Sequence, residues 1–389
     1  RQGADWKLTG PVDASVGFPE LQPLLAAIST VKADKAEALS VSDPAKYGFD
    51  MPTLRLSVTF TEPPPIDSDS EPSKPDVPQT RTLLIGKPTA PGANSRYARL
   101  DDPARPSVYI ISDDLLIKAD QPALNWLDRN LLALDPQQIN RVQLTGPKQT
   151  GIITIVRGDT GTWTAEGASF PVDLPTIDAL LATAARPPIT RLAAYGNNVD
   201  WNRFGLNTPE FTILLTMKPA MPGGPTTTHT LKIGQSEPGG ERSLRVDDKP
   251  AVGLLPATAA ADLIRQRLDF VDRTLFNFDP AALTSLQRVR GKETLTLEQT
   301  GLNWELTQPV KQKADQPTLD ELANRLGRLR ASAVAAYDPK PADLAKFGLA
   351  SPVVTLTLKV GLETPKDYVL KLGRPVDPKS AAAGRYAIA

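Results

Sequence analysis

The chain has 389 residues, and its 44 Lys and Arg are balanced by 44 Asp and Glu, so it lacks the excess positive charge that neutralises phosphates and nucleic acid is excluded as the expected partner. It has no cysteine and one histidine, which excludes disulfides, thiol catalysis, Cys-based zinc sites and any His-based metal cluster. Thirty-eight prolines and 26 glycines accompany a 40% hydrophobic content, the composition of a globular protein built from turns and short elements.

No apolar run reaches the roughly 18–20 residues of a membrane span. The opening Arg1-Gln2-Gly3-Ala4-Asp5 has neither Met nor a signal pattern, so an anchor or signal upstream, in a longer gene product, is expected. In chain order, Trp6 starts a short strand, and Asp13 is the expected N-cap of an amphipathic helix over 18–28. A short strand over 36–41 leads into a one-turn helix that ends at Gly48. Pro52 then stops the helical run before a strand of alternating apolar residues. Residues 61–80 form a Pro/Ser/acid-rich hairpin insertion. Its Asp67, Asp69 and Glu71 have the alternation of a calcium loop without the glycine or closing bidentate Glu, so it is read as a solvated loop. Strands over 81–87, 96–98 and 107–111 and two short helices complete the unit.

The same order then returns. The run 152–156 turns into a strand at Trp163, Asp173 precedes a helix over 174–184, and a strand over 189–195 leads to Gly205 and Pro209. A third pass runs from 294–299 to Trp304. It continues through Asp315 and its helix, with Leu319, Leu322, Leu326 and Leu329 on one face. A strand expected over 331–337, then Gly348 and Pro352, follow. The Trp-to-Gly spacing is 42, 42 and 44 residues. A strand-ending glycine recurs at Gly86, Gly234 and Gly373, and Arg-Tyr-Ala recurs at 96–98 and 385–387, with Arg242-Ser243-Leu244 between. Two further segments match at an offset of 144, sharing Asp128-Arg129 with Asp272-Arg273 and Asp135-Pro136 with Asp279-Pro280. A period of this kind is one supersecondary unit copied in tandem. The expected fold class is α+β, each unit a mostly antiparallel sheet with helices packed on one face. The expected units are 1–150, 151–292 and a truncated 293–389.

The recurring residues read as structure. Gly48, Gly205 and Gly348 suit a positive-φ helix end, Trp6, Trp163 and Trp304 suit core anchors, and Asp128-Arg129 and Asp272-Arg273 suit a repeated ion pair or cap. His229 reads as an exposed edge residue, and Arg325, Arg328 and Arg330 as a solvated helix face. Gly223-Gly224 and Gly239-Gly240 lack the Lys-Ser/Thr of a phosphate loop. No Gly-x-Ser-x-Gly elbow is present. No catalytic, cofactor-binding or metal-binding residue is expected.

At these boxes the chain resembles a bacterial family catalogued as a domain of unknown function, number 4340. The resemblance is carried by Trp304, Pro309 and Ala314-Asp315, by Phe347-Gly348-Leu349 with Pro352, by Ile233-Gly234, and by Arg-Tyr-Ala. Two departures are Val12-Asp13 in place of Ala-Asp and Ser243 in place of Tyr. The resemblance implies an anchored, extracytoplasmic, non-enzymatic protein of the cell envelope, associated with transporter-like or gliding-type ABC systems. The expected function is therefore a scaffold with protein partners in the envelope, touching the membrane only through a segment outside this sequence. A glycan- or peptide-binding module using exposed aromatics is the alternative, and a carboxylate-based hydrolase the third. The third unit is also expected to leave a sheet edge that a following segment or another chain could complete.

Overall fold

The computed structural model describes residues 5–61, 78–146, 151–221, 223–301 and 303–389. The greater part of the 61–80 insertion lies outside them. The fold is α+β with tandem modules. The first contains β1 (Lys7–Leu8), β2 (Ala14–Ser15), α1 (Phe18–Thr30), β3 (Lys35–Ala38), β4 (Leu54–Phe60), β5 (Gln79–Pro88), β6 (Ser95–Leu100), β7 (Val108–Ser112) and α2 (Asp114–Ala119). The second contains β8 (Ile139–Thr145), β9 (Ile153–Arg157), β10 (Trp163–Ala165), α3 (Leu174–Ala185), β11 (Arg191–Tyr195), β12 (Phe211–Met217), β13 (Thr228–Ser236), β14 (Arg242–Val246), β15 (Ala251–Leu255) and α4 (Ala257–Leu263). The third contains β16 (Leu283–Arg290), β17 (Glu293–Thr300), β18 (Asn303–Gln308), β19 (Gln312–Lys313), α5 (Gln316–Gly327), α6 (Pro341–Leu344), β20 (Val354–Val360), β21 (Lys366–Pro375) and β22 (Arg385–Ile388).

By packing, the chain divides into two compact units. One comprises 1–131, 189–200 and 250–254. It holds an antiparallel sheet in the order β3-β7-β6-β5-β4 and the antiparallel pair β11 and β15. Helix α1 meets this sheet through Ala27, which packs with Ile85, Ala98 and Ile111. The other unit comprises 132–188, 201–249 and 255–389. It holds the strands β10-β9-β8-β12-β13-β14 and a seven-stranded sheet, β19-β18-β17-β16-β20-β21-β22. Against the latter, Leu319, Ala323 and Leu326 of α5 pack with Trp304, Leu358 and Phe276. These three α5 residues follow the helical period and bury one stripe of an otherwise polar helix.

Several local expectations change. A boundary at 150 gives strand 139–145 to the first module, yet β8 pairs with β9 and β12. Likewise, β16 pairs with β17 and β20 of the third. The modules therefore begin just after Asp135-Pro136 and Asp279-Pro280, whose aspartates accept from Gln137 N–H and Ala281 N–H. Asp13 does not cap α1. The next two residues, β2, pair with β1, and Val16 N–H bonds to Trp6 carbonyl at 3.0 Å, so the chain stays extended until Gly17, the residue before the helix. In contrast, Asp315 does cap α5, accepting from Thr318 N–H at 3.1 Å. Residues 331–337 do not form the expected strand; they are bent. Their counterparts β3 and β11 are extended because each pairs with a strand, β7 and β15 respectively. Among the described residues no helix is long and apolar enough to cross a membrane.

Candidate functional site

The turn glycines come first. In all three modules the aromatic-Gly turn is closed by the same two bonds. Gly48, Gly205 and Gly348 N–H groups bond to the carbonyls of Ala45, Asn202 and Ala345. The next residues, Phe49, Leu206 and Leu349, bond back to Pro44, Trp201 and Leu344 at 2.9 Å each. This is a Schellman closure, which requires positive φ; the glycines have φ of 78°, 65° and 70°. In the second module the closure forms from a turn, without the expected one-turn helix. Pro52, Pro209 and Pro352 stand two residues before β4, β12 and β20, where a fixed φ and a missing N–H end the turn without disturbing the strand.

The strand glycines sit directly beneath these turns. A Cβ on Gly86, Gly234 or Gly373 would lie 2.1, 2.0 and 2.2 Å from the carbonyl oxygens of Tyr47, Phe204 and Phe347. Strand pairing slips in register at the same place each time, between Ile85 and Pro88, Ile233 and Ser236, and Leu372 and Pro375. The first residue of the Arg-Tyr-Ala box then caps the strand glycine. Arg96, Arg242 and Arg385 donate through Nη1 to the carbonyls of Gly86, Gly234 and Gly373 at 3.3, 3.1 and 3.0 Å. The next position closes the assembly from above. Tyr97 packs edge-to-face against Tyr47, and Tyr386 packs at a tilt against Phe347, at 5.0 and 4.9 Å between ring centres. Ser243 instead donates to Phe204 carbonyl at 2.7 Å. Three sequence boxes thus form one backbone assembly, and the serine substitution preserves it by a different bond.

Trp163 and Trp304 are buried at 6% and 4% exposure, whereas Trp6 is half-buried. His229 is not at an edge. It lies on β13, between β12 and β14, half-buried, with Nδ1 2.9 Å from Asp247 Oδ2.

The Asp-Arg boxes are joints. Asp128 and Asp272 accept from the N–H two residues on, Asn130 and Thr274. Arg129 donates from Nη1 to Thr190 carbonyl at 2.9 Å, and its Nε lies 3.3 Å from Glu20. Arg273 donates from Nη1 to Ser332 carbonyl at 3.0 Å and from Nη2 to Asp173 at 2.9 Å. Asp173, the residue before α3, is 0% exposed. Its other oxygen, Oδ1, accepts from Arg330 at 2.6 Å, while Thr176 Oγ1 donates at 2.7 Å to Oδ2, the oxygen that Arg273 also meets. Arg330, partly exposed beyond the end of α5, is therefore tied to this carboxylate, whereas Arg325 pairs with Glu321 on the exposed side of the helix. A carboxylate in apolar surroundings demands cations, and the run Phe170-Pro171-Val172-Asp173-Leu174 was the available signal for it.

Burial alone pushes the Asp173 carboxyl up. The hydrogen bonds from Thr176, Arg273 and Arg330 and the charge of Arg273 together outweigh burial and hold the group below the usual carboxylate range. A lowered native value means that the unfolded chain binds the proton more readily. The stabilisation is therefore complete above the unfolded value of about 3.9 and is lost as pH falls through the native one. The gap in Tm between the wild type and Asp173→Asn is expected to hold from pH 7 to 5 and to shrink by pH 3, measured by calorimetry. An unchanged gap at pH 3 would refute this reading.

Such a carboxylate, ionised and sealed, cannot act as a general acid at neutral pH. Among the described residues no three His, Asp or Glu gather closely enough to hold a metal ion. Among the described residues, a groove of about 850 Å³ is lined mainly by β21, β22 and residues 331–339, together with Pro171, Val271 and Leu275.

The family described as Domain of unknown function (DUF4340) matches over residues 6–169, 163–302 and 304–383. The chain belongs to this family. Its three DUF4340 matches begin at Trp6, Trp163 and Trp304, and each contains one Schellman turn and one strand glycine of the assembly above. No curated protein and no solved structure matches the chain.

Proposed function

We propose that this DUF4340 protein is a non-enzymatic scaffold of the bacterial cell envelope, holding protein partners as an accessory to a transporter-like ABC system. One observation carries the reading: the recurring residues serve the fold's own backbone turns, carbonyl caps and ion pairs. The glycines admit backbone, and the arginines cap carbonyls or bind a buried carboxylate. A recurring ligand site would instead leave recurring polar groups open to solvent. Burial of Trp163 and Trp304 speaks against the glycan-stacking alternative, which needs aromatic faces in a groove. The envelope location and the ABC association come from the family resemblance.

The test is fractionation of a bacterium producing the tagged full-length protein, followed by cross-linking in intact cells. The expected result is recovery with the periplasm or membranes and repeated cross-links to envelope proteins. Recovery in the cytoplasm, or hydrolysis of glycans or peptides by the purified protein, would overturn the proposal.

A further inference from the structure

After β10 the chain runs through Gly167, Ser169 and Phe170, which line an open cavity of about 560 Å³ together with Arg267, Leu268 and Tyr337. All six residues belong to one compact unit. The apolar part of the wall is aromatic. Phe170 and Tyr337 meet edge to face at 5.5 Å between ring centres, and the Tyr337 hydroxyl donates to Ser169 carbonyl at 3.1 Å, which fixes its ring in place. Tyr337 is still 41% exposed. The polar part is a single cation. Arg267 donates from Nη2 to Gly167 carbonyl at 3.2 Å, with its guanidinium 5.9 Å from the Phe170 ring centre. Among the described residues, its Nε and Nη1 meet no acceptor and no carboxylate pairs with it. The acids nearest to these residues in the chain are already engaged. Arg141 holds both oxygens of Glu166 at 2.6 and 2.9 Å, and Asp269 accepts from Gln266 N–H at 2.7 Å.

The repeated fold does not itself call for this equipment. At the matching positions one copy earlier, Asp13 stands for Phe170, Ala123 for Arg267 and Tyr195 for Tyr337, so only the tyrosine recurs. A guanidinium with free N–H groups pairs with carboxylate oxygens, and an aromatic wall covers hydrocarbon. A bare inorganic anion would leave the rings unused, and an uncharged apolar ligand would cover the cation without giving it a partner. Apolar walls with one placed polar group are the general make-up of a small-ligand site. We propose that this cavity binds a carboxylate attached to an apolar group, with Arg267 on the carboxylate and Tyr337 and Leu268 against the hydrocarbon. A free aromatic acid and the C-terminal residue of a polypeptide share that chemistry. The site lies at one copy boundary and stands apart from the scaffold reading.

Ligand-detected NMR titrations of the purified 389-residue protein test this with two probes, 3-phenylpropionate as the free acid and N-acetyl-Ala-Phe as the chain terminus. Saturable binding of at least one is expected, and the tighter of the two identifies the source. The matching amide of each probe, which lacks the charge, and acetate, which lacks the ring, are expected to bind at least about tenfold more weakly. Arg267→Gln is expected to weaken the acid by about tenfold and bring acid and amide to parity. Arg267→Lys keeps the charge without the fork and is expected to retain part of the preference for the acid. Thermal melts of both variants show whether the fold is kept, and the acid-to-amide comparison on the wild type needs no variant. The proposal is overturned if neither probe saturates, if the amides bind as tightly as the acids, or if Arg267→Gln with an unchanged melting temperature keeps full affinity for the acid.

Discussion

Removing both arginines around Asp173, as Arg273→Ala/Arg330→Ala, is expected to cost about 3–5 kcal/mol, the range for stranding a buried charge. The expected loss exceeds that of Asp173→Ala. When the aspartate is removed, the arginines can turn towards water, since their side chains are already 28% and 37% exposed. When the arginines are removed, a carboxylate with no exposure keeps only the Thr176 hydroxyl. The pH response then reverses. Without the cations, burial dominates and raises the carboxyl above its unfolded value, so protonation favours the folded form and lower pH restores part of the loss. Thermal melts of the double variant at pH 7 and about 4.5 check this. A double variant no less stable than Asp173→Ala, or with no gain at the lower pH, would remove Asp173 from its proposed place at the joint.

Gly234→Ala is expected to cost at least about 3 kcal/mol, at the upper end of overpacking penalties. Its Cβ would meet Phe204 carbonyl oxygen at 2.0 Å and Ser243 Oγ at 2.4 Å, and backbone oxygen cannot swing aside as a flexible side chain does. Gly373→Ala meets Phe347 carbonyl at 2.2 Å and should behave alike. Gly205→Ala is the milder comparison. Its Cβ approaches Gln235 N at 3.2 Å with φ at 65°, a left-handed strain of about 1–2 kcal/mol. Denaturant unfolding should therefore rank the two positions with Gly234 the more damaging. An equal or inverted order would show that the turn can lift off the strand.

Much of this architecture is legible in the residues. Hairpins, helices and the tandem period follow from alternation, helical spacing and turn residues, because these are local signals. The reason for a glycine in the strand is not local. At Gly86 or Gly373 the sequence marks a strand end, but the carbonyl pressing on it comes from residues 39 and 26 positions earlier. Arg330 reads as surface by helical position, and only its approach to Asp173, 157 positions away, gives it another role. The Asp13 expectation fails for a related reason: a two-residue strand pairing with β1 overrides a favourable cap residue. Residues 331–337 have the composition of β11, but a strand forms only where another is present to pair with it.

The joint arginine also bears on how such a chain can be rearranged. Arg129 and Arg273 reach into the following copy through the same carbonyl bond, yet the acids they meet differ, Glu20 in one case and Asp173 in the other. The position matching Arg330 in the second copy is Pro188. Copies with a common backbone have therefore acquired private couplings. A shuffled order or an excised middle copy would preserve every turn and still lose the Arg330–Asp173 pair, which crosses from the third copy to the second, so the array is an ordered sentence rather than a string of interchangeable beads.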